Sequence, residues 1–247
     1  MSLWILPRGM RRALRRVLGQ APATDAYVVP WINEGALRTE LLLNCWQEPY
    51  PRRKEVEVSL TQYAQNGERL MRTRATVPLA GIQVVPLEGR RQATYGICLI
   101  EGNTCQQHVQ ISDGESFAVT HGRTARVYTF VGQGLRARVI QRVDRAYSKN
   151  FNPLVTDGYG VELFFFNLSD VPGRVLATLT GTGRRADVGR VAPFGSLRID
   201  PAALPLGMPG PSFRGTIRLT ATCPFDYYVL ACHGRSGRRR YSLQHVK

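Results

Sequence analysis

The chain has 247 residues, 43% of them hydrophobic and 21% charged, with 24 Gly and 15 Pro. That is enough to bury one large core or two of about 100 residues each, and it excludes a disordered, collagenous or fibrous chain. No window reaches the roughly 18–20 apolar residues that a spanning helix needs. Five Cys are too few, and odd in number, for a disulfide framework, which predicts a reducing, cytoplasmic setting. Lys and Arg number 33 against 18 Asp and Glu, a formal charge of +15, so an anionic partner is the first expectation.

Residues 1–18 hold Arg8, Arg11, Arg12, Arg15 and Arg16 and no acid. From Pro7, a good first helical residue, Met10, Leu14, Val17 and Leu18 recur at helical spacing. A short basic amphipathic helix is predicted, with Trp4, Ile5 and Leu6 leading into it. The apolar residues precede the charge, the reverse of a secretory signal, so the segment is expected to be retained. Residues 1–24 are read as this helix and its linker.

Beyond Tyr27 the period changes to two. In residues 54–63, Val56, Val58 and Leu60 alternate with Glu55, Glu57, Ser59 and Thr61, the pattern of a half-buried antiparallel strand. Further strands are predicted at 38–43, 72–77, 81–87, 95–100, 108–112, 126–131 and 135–143. Asn66-Gly67, Gly102-Asn103, Asp113-Gly114 and Gly132-Gln133-Gly134 supply the turns between them. Residues 145–158 lack a period and read as a linker.

The second half restarts the same grammar. Residues 40–44 (ELLLN) precede a proline-bearing turn and the alternating strand at 56–60; residues 162–167 (ELFFFN) precede 168–172 and an alternating strand at 174–180. Val77-Pro78 then leads to a strand at 81–85, and Val191-Ala192-Pro193 to one at 195–199. Strands are also predicted at 213–222, 227–232 and 239–246, with 201–211 as a Pro/Gly-rich loop. The predicted fold is all-β: two tandem antiparallel β-sandwich domains, 25–145 and 146–247, behind the N-terminal helix.

Candidate chemistry is sparse. The histidines are His108, His121, His233 and His245, and none sits at a strong ligand spacing. Cys98, Cys105 and His108 come nearest to a metal set, but Cys98 reads as a core residue of an apolar strand. Cys223 and Cys232 flank a Pro224-Phe225 turn and could face each other across a hairpin. Gly181-Thr182-Gly183 is followed by no helix and reads as a hairpin turn, not a phosphate loop. No catalytic residue, metal or cofactor is assigned, and the chain is expected to be non-enzymatic. Trp31 and Trp46 could form a sugar platform but read as packing residues; Tyr227, Tyr228 and Tyr241, near the C-terminal arginines, could stack on bases but read as core and rim positions of a sandwich.

The basic ends carry the functional signal. Residues 1–22 bear +5, and residues 234–247, with Arg235, Arg238, Arg239, Arg240 and Lys247, bear another +5. For the N-terminal segment, Trp4, Arg8, Arg11, Arg12, Leu14, Arg15 and Arg16 would contact a membrane surface or a protein partner. Arg235 and Arg238 to Arg240 form a second anion-binding patch.

Each half resembles the single-domain β-sandwich family of sensory rhodopsin transducers. The likeness lies in a strand ending in Leu-Asn or Phe-Asn, a short turn, a strand such as Val56 to Tyr63, a Val-Pro element and a late apolar strand ending near Cys232-His233-Gly-Arg. It covers about residues 40–87 and 162–235. It implies a non-enzymatic sandwich that forms oligomers and meets a membrane partner or DNA. Together these readings predict a scaffold or accessory protein, homo-oligomeric and peripheral to the inner face of a membrane. The alternative is a nucleic-acid-associated protein, such as a viral coat subunit or DNA-binding regulator, that uses its arginine-rich ends.

Overall fold

The computed structural model describes residues 24–44, 55–78, 81–89, 92–101, 106–112, 117–121, 123–127, 147–155, 159–207, 213–233 and 240–244. The helix predicted near the N-terminus and the strand predicted at 135–143 lie outside these residues. Among the described residues the chain is all-β, and no helix is long and apolar enough to cross a membrane.

The first half contributes β1 (Thr24–Ile32), β2 (Arg38–Asn44), β3 (Glu55–Ala64), β4 (Arg69–Pro78), β5 (Ile82–Leu87), β6 (Tyr95–Glu101), β7 (Gln106–Ser112), β8 (Phe117–His121) and β9 (Arg123–Val127). The second contributes β10 (Tyr147–Phe151), β11 (Leu154–Val155), β12 (Tyr159–Asn167), β13 (Gly173–Leu179), β14 (Arg185–Val191), β15 (Ser196–Ile199), β16 (Phe213–Arg214), β17 (Ile217–Ala221), β18 (Phe225–His233) and β19 (Arg240–Gln244). Sheet I has the order β4-β3-β6-β1-β9 and sheet II β5-β2-β7-β8. Sheet III runs β10-β17-β13-β14 and sheet IV β15-β12-β18-β19, while β11 and β16 form a separate pair.

The strand order of one half repeats in the other. With β11 and β16 set aside, the strands of the second half fall in the order 4-3-6-1 in sheet III and 5-2-7-8 in sheet IV, as in sheets I and II, where β9 is added at one edge. The segments that look alike in sequence lie on β2 and β12, β3 and β13, and β5 and β15. Each of these pairs holds the same place in the two orders.

Burial explains which strands alternate. In β2 and β13 every second side chain is buried and the others are half-buried or exposed, as expected of a sheet with one covered face. In β1, β6, β12 and β18 nearly every described side chain is buried. Phe164, Phe166, Tyr228 and Leu230 join the apolar cluster of sheets I and II, whereas Leu163, Phe165, Tyr227 and Val229 join that of sheet III. Sheet IV is therefore an inner layer, covered on both faces. Across it the Tyr228 hydroxyl donates to the Val28 carbonyl at 3.0 Å, and Tyr95 meets Phe164 edge-on at 6.2 Å.

The β3–β4 turn completes this contact. The Ser196 amide donates to the Gln65 carbonyl at 2.9 Å, and Tyr63 stacks on Phe194 at 4.9 Å. Gly67, at φ +80°, leaves no room for a side chain, because a Cβ there would lie 2.0 Å from the Pro193 carbonyl oxygen. Buried Asn167 organises the turn after β12: its amide donates to the carbonyls of Val171 and Ala192, and its oxygen accepts from the Ser169 amide and hydroxyl.

Several expectations need correction. The stretch read as a linker, 145–158, contains β10 and β11. β10 is an edge strand whose outward side chains, Ser148 and Asn150, are exposed and polar, so its sequence shows no apolar period. The single strand predicted at 213–222 is two, interrupted at Gly215 and Thr216, and β1, β8 and β14 were not predicted. Cys223 and Cys232 do not face each other across a hairpin, because Cys223 precedes the start of β18 and Cys232 lies near the far end of that same strand.

Candidate anion-binding face

The outer face of sheet III gathers four arginines from three strands. Inward-facing Val175, Ala177, Leu179, Ile217, Leu219, Ala221 and Phe151 are buried and hold the sheet against its core. Pairing of neighbours then sets out rows on the opposite face. Arg185 lies beside Thr178, Thr178 beside Arg218 and Arg218 beside Asn150. Asp187, Leu176, Thr220 and Ser148 form the next row, and Arg190 and Arg174 the last, where the Arg174 amide donates to the Thr222 hydroxyl. Arg174, Arg185, Arg190 and Arg218 are all exposed.

A bulge places Arg190 on this face. The register shifts at Val175/Leu176, with Val188 as the extra residue and Gly189 at φ +125°. Strict alternation from Arg185 and Asp187 would turn residue 190 inward. The bulge reverses the parity, so Arg190 points outward while Val191 is buried. The Gly189 amide donates to Asp187 at 3.1 Å and ties the bulge to the same face.

The charge balance is one-sided. On the outer face the strands of sheet III carry Arg174, Arg185, Arg190 and Arg218 against one acid, Asp187, while Lys149 is in register with inward Leu219 and pairs with Asp226. Arg174 donates to Asp187 at 2.6 Å, and this hydrogen bond holds the carboxyl below its ordinary value. Arg218 donates to the Asn150 side-chain oxygen at 3.3 Å. Among the described residues, Arg185, Arg190 and Arg218 form no ion pair. Strand spacing puts Arg185 and Arg218 about 10 Å apart at the backbone, a separation over which a nucleic-acid strand presents several phosphates.

Two other polar groupings have structural work. Arg198 pairs with Glu34 and Glu162 and lies over the rings of Tyr95 and Phe164, clamping sheet IV to the β1–β2 turn. Burial opposes its charge, yet the hydrogen bonds and charges of the two glutamates hold its pKa above the ordinary value. A cleft beside that turn is lined by Asn33, Arg38, Thr39, Glu40 and Glu88. Its central side chain, Asn33, donates to the Leu87 carbonyl and accepts from the Thr39 amide.

Most of the residues singled out in sequence lie outside the described ones. Trp4, Arg8, Arg11, Arg12, Leu14, Arg15 and Arg16 lie outside the described residues, as do Arg235, Arg238, Arg239, Cys105 and Trp46. Arg240 opens β19 opposite His233. Trp31 is buried and donates to the Tyr63 carbonyl, and Tyr227 and Tyr228 are buried, so these rings are core and not a stacking platform. Cys98 and His108 belong to different sheets, I and II, with Cys98 in the core and His108 in register with the outward row of Leu42. Burial pushes the thiols of Cys98 and Cys223 up to about 12. No group of three metal-ligating side chains occurs among the described residues.

The arginine face was missed because its residues are spread from 174 to 218 and only sheet pairing collects them; the one local signal is the Val-Gly pair before Arg190. The sequence matches no family model and no curated protein.

Proposed function

We propose that the chain is a non-enzymatic interaction protein of two tandem antiparallel β-sandwich units, residues 25–145 and 146–247, that holds the phosphate backbone of a nucleic acid. The shared strand order and the two apolar clusters support the tandem arrangement. The resemblance of each half to the sensory rhodopsin transducers points the same way.

The observation that carries the function is the outer face of sheet III, where Arg185, Arg190 and Arg218 stand among Thr178, Thr220, Ser148 and Asn150. Phosphodiester oxygens are typically held by Arg together with Ser, Thr and Asn, without regard to base sequence. An interfacial membrane contact instead buries apolar side chains, and this face offers only half-buried Leu176. The nucleic-acid reading therefore takes precedence over the membrane contact expected of the N-terminus.

Co-sedimentation of the full chain with duplex DNA and with anionic vesicles, in parallel at about 50 mM salt, tests it. DNA binding that falls in an Arg185→Gln/Arg190→Gln/Arg218→Gln variant is the expected result. Vesicle binding with no DNA binding would refute the reading.

A further inference from the structure

Most edges of the four sheets are guarded. β4 carries Arg69, Arg72 and Arg74, β9 Arg123 and Arg126, β10 Lys149, and β19 Arg240. β14 is bulged and carries Arg185, Asp187 and Arg190, while four-residue β15 carries Arg198. Charge, bulges and shortness all discourage pairing at an open edge. At sheet II, β8 lies against β19, which leaves β5 as the exception. Its sequence, IQVVPL, has no charge. Ile82 is 61% exposed and Val84 45%, the exposed large hydrophobics among the described residues, and exposed Pro86 continues their row.

The pairing with β2 fixes which backbone groups β5 leaves open. The ladder runs without a register shift, so residues of one parity turn their amides and carbonyls to β2 and those of the other turn them to the edge. Leu87 and Thr39 point at each other, because the Asn33 side chain bridges them, donating to the Leu87 carbonyl and accepting from the Thr39 amide. Gln83 and Val85 share the parity of Leu87. Ile82, Val84 and Pro86 therefore face the edge, where the missing N–H of Pro86 costs no bond to β2. The Val84 carbonyl, turned outward, accepts from the Gln83 side chain at 3.2 Å.

We propose that two copies of the chain join by antiparallel pairing of β5 with β5 across a two-fold axis, with Val84 opposite Val84 and Ile82 opposite Pro86. The strand itself selects a second copy as its occupant. The row Ile82, Val84, Pro86 is apolar from end to end, so reversing it sets apolar against apolar and no charge against charge. The two Val84 residues exchange both backbone bonds, and each Ile82 amide donates to a Pro86 carbonyl. Sheet II then runs unbroken through both copies. The net charge of +15 opposes the approach, and salt screens that repulsion. This inference does not depend on the arginine face of sheet III.

Sedimentation equilibrium of the nuclease-treated full chain tests it. A pairing of six residues a side is a small interface, so the mass should rise from monomer to dimer with concentration. The dimer should gain from added salt, whereas copies bridged by nucleic acid would come apart. Val84→Lys, at an exposed position, should stay monomeric with unchanged circular dichroism. A wild-type chain still monomeric at about 0.1 mM, a dimer that salt dissociates, or one that survives Val84→Lys overturns the proposal. Oxidation and peptide mapping then read the register. Val84→Cys should give an 84–84 bridge between chains, since a bonded antiparallel pair sets its Cα atoms about 5.5 Å apart. Ile82→Cys/Pro86→Cys should give an 82–86 bridge between chains. A dimer that lacks the 82–86 bridge, as one joined through the face of sheet II would, overturns it as well.

Discussion

Phe164→Ala tests the stacked layers at their centre. Phe164 is 1% exposed, meets Tyr95 edge-on and lies under the Arg198 guanidinium on the side of sheet IV that faces sheet I. If that side is true core, truncation costs the usual 3–5 kcal/mol of a buried phenylalanine, about 4 kcal/mol. In a chain of this length that lowers Tm by roughly 8–16 °C. Phe165→Ala, on the opposite face and within the cluster of sheet III, should cost about the same, and both variants should unfold in one transition seen by calorimetry. Were the two halves only loosely apposed, Phe164→Ala would cost under about 1 kcal/mol and the halves would melt separately. Either result would refute the inner-layer assignment.

Gly67→Ala should cost at least about 3 kcal/mol in chemical denaturation, since backbone strain adds to overlap with the Pro193 carbonyl. Gly181→Ala, at φ +98° in the open β13–β14 turn, should cost only about 1–2 kcal/mol. Cys98 and Cys223, with thiols raised to about 12, should stay unmodified by a thiol reagent at pH 8 until the chain unfolds, as peptide mapping would show. Asp187 should titrate below its ordinary 3.8, and Arg174→Gln should return it toward that value by NMR. Because the folded-state pKa is depressed, the contribution of this pair is present above 3.8 and is lost as pH falls through the lowered value.

Strands with one covered face were readable from sequence: β3 alternates Glu55, Glu57 and Ser59 with buried Val56, Val58 and Leu60. The inner layers were only half readable. Residues 162–167 announce a strand, but an unbroken apolar run does not say what covers its second face, here the sheet carrying Val28 and Tyr95. The repeated grammar of the halves was visible at residues 40–44 and 162–167, whereas the full strand order needed the pairings. Charge density drew attention to the ends of the chain, where arginines are adjacent in sequence. The face of sheet III escaped because Arg185 and Arg218 become near neighbours only through β13, and because a bulge reverses the direction of Arg190.

The most direct test of the account is the salt dependence of duplex DNA binding by the full chain and by the Arg185→Gln/Arg190→Gln/Arg218→Gln variant. Each phosphate contact contributes about 0.9 to the slope of log affinity against log salt, so losing three should flatten that slope by about 2.7. A flattening of that size places the polyanion on sheet III. An unchanged slope, with the variant folded and its DNA affinity intact, would contradict the assignment.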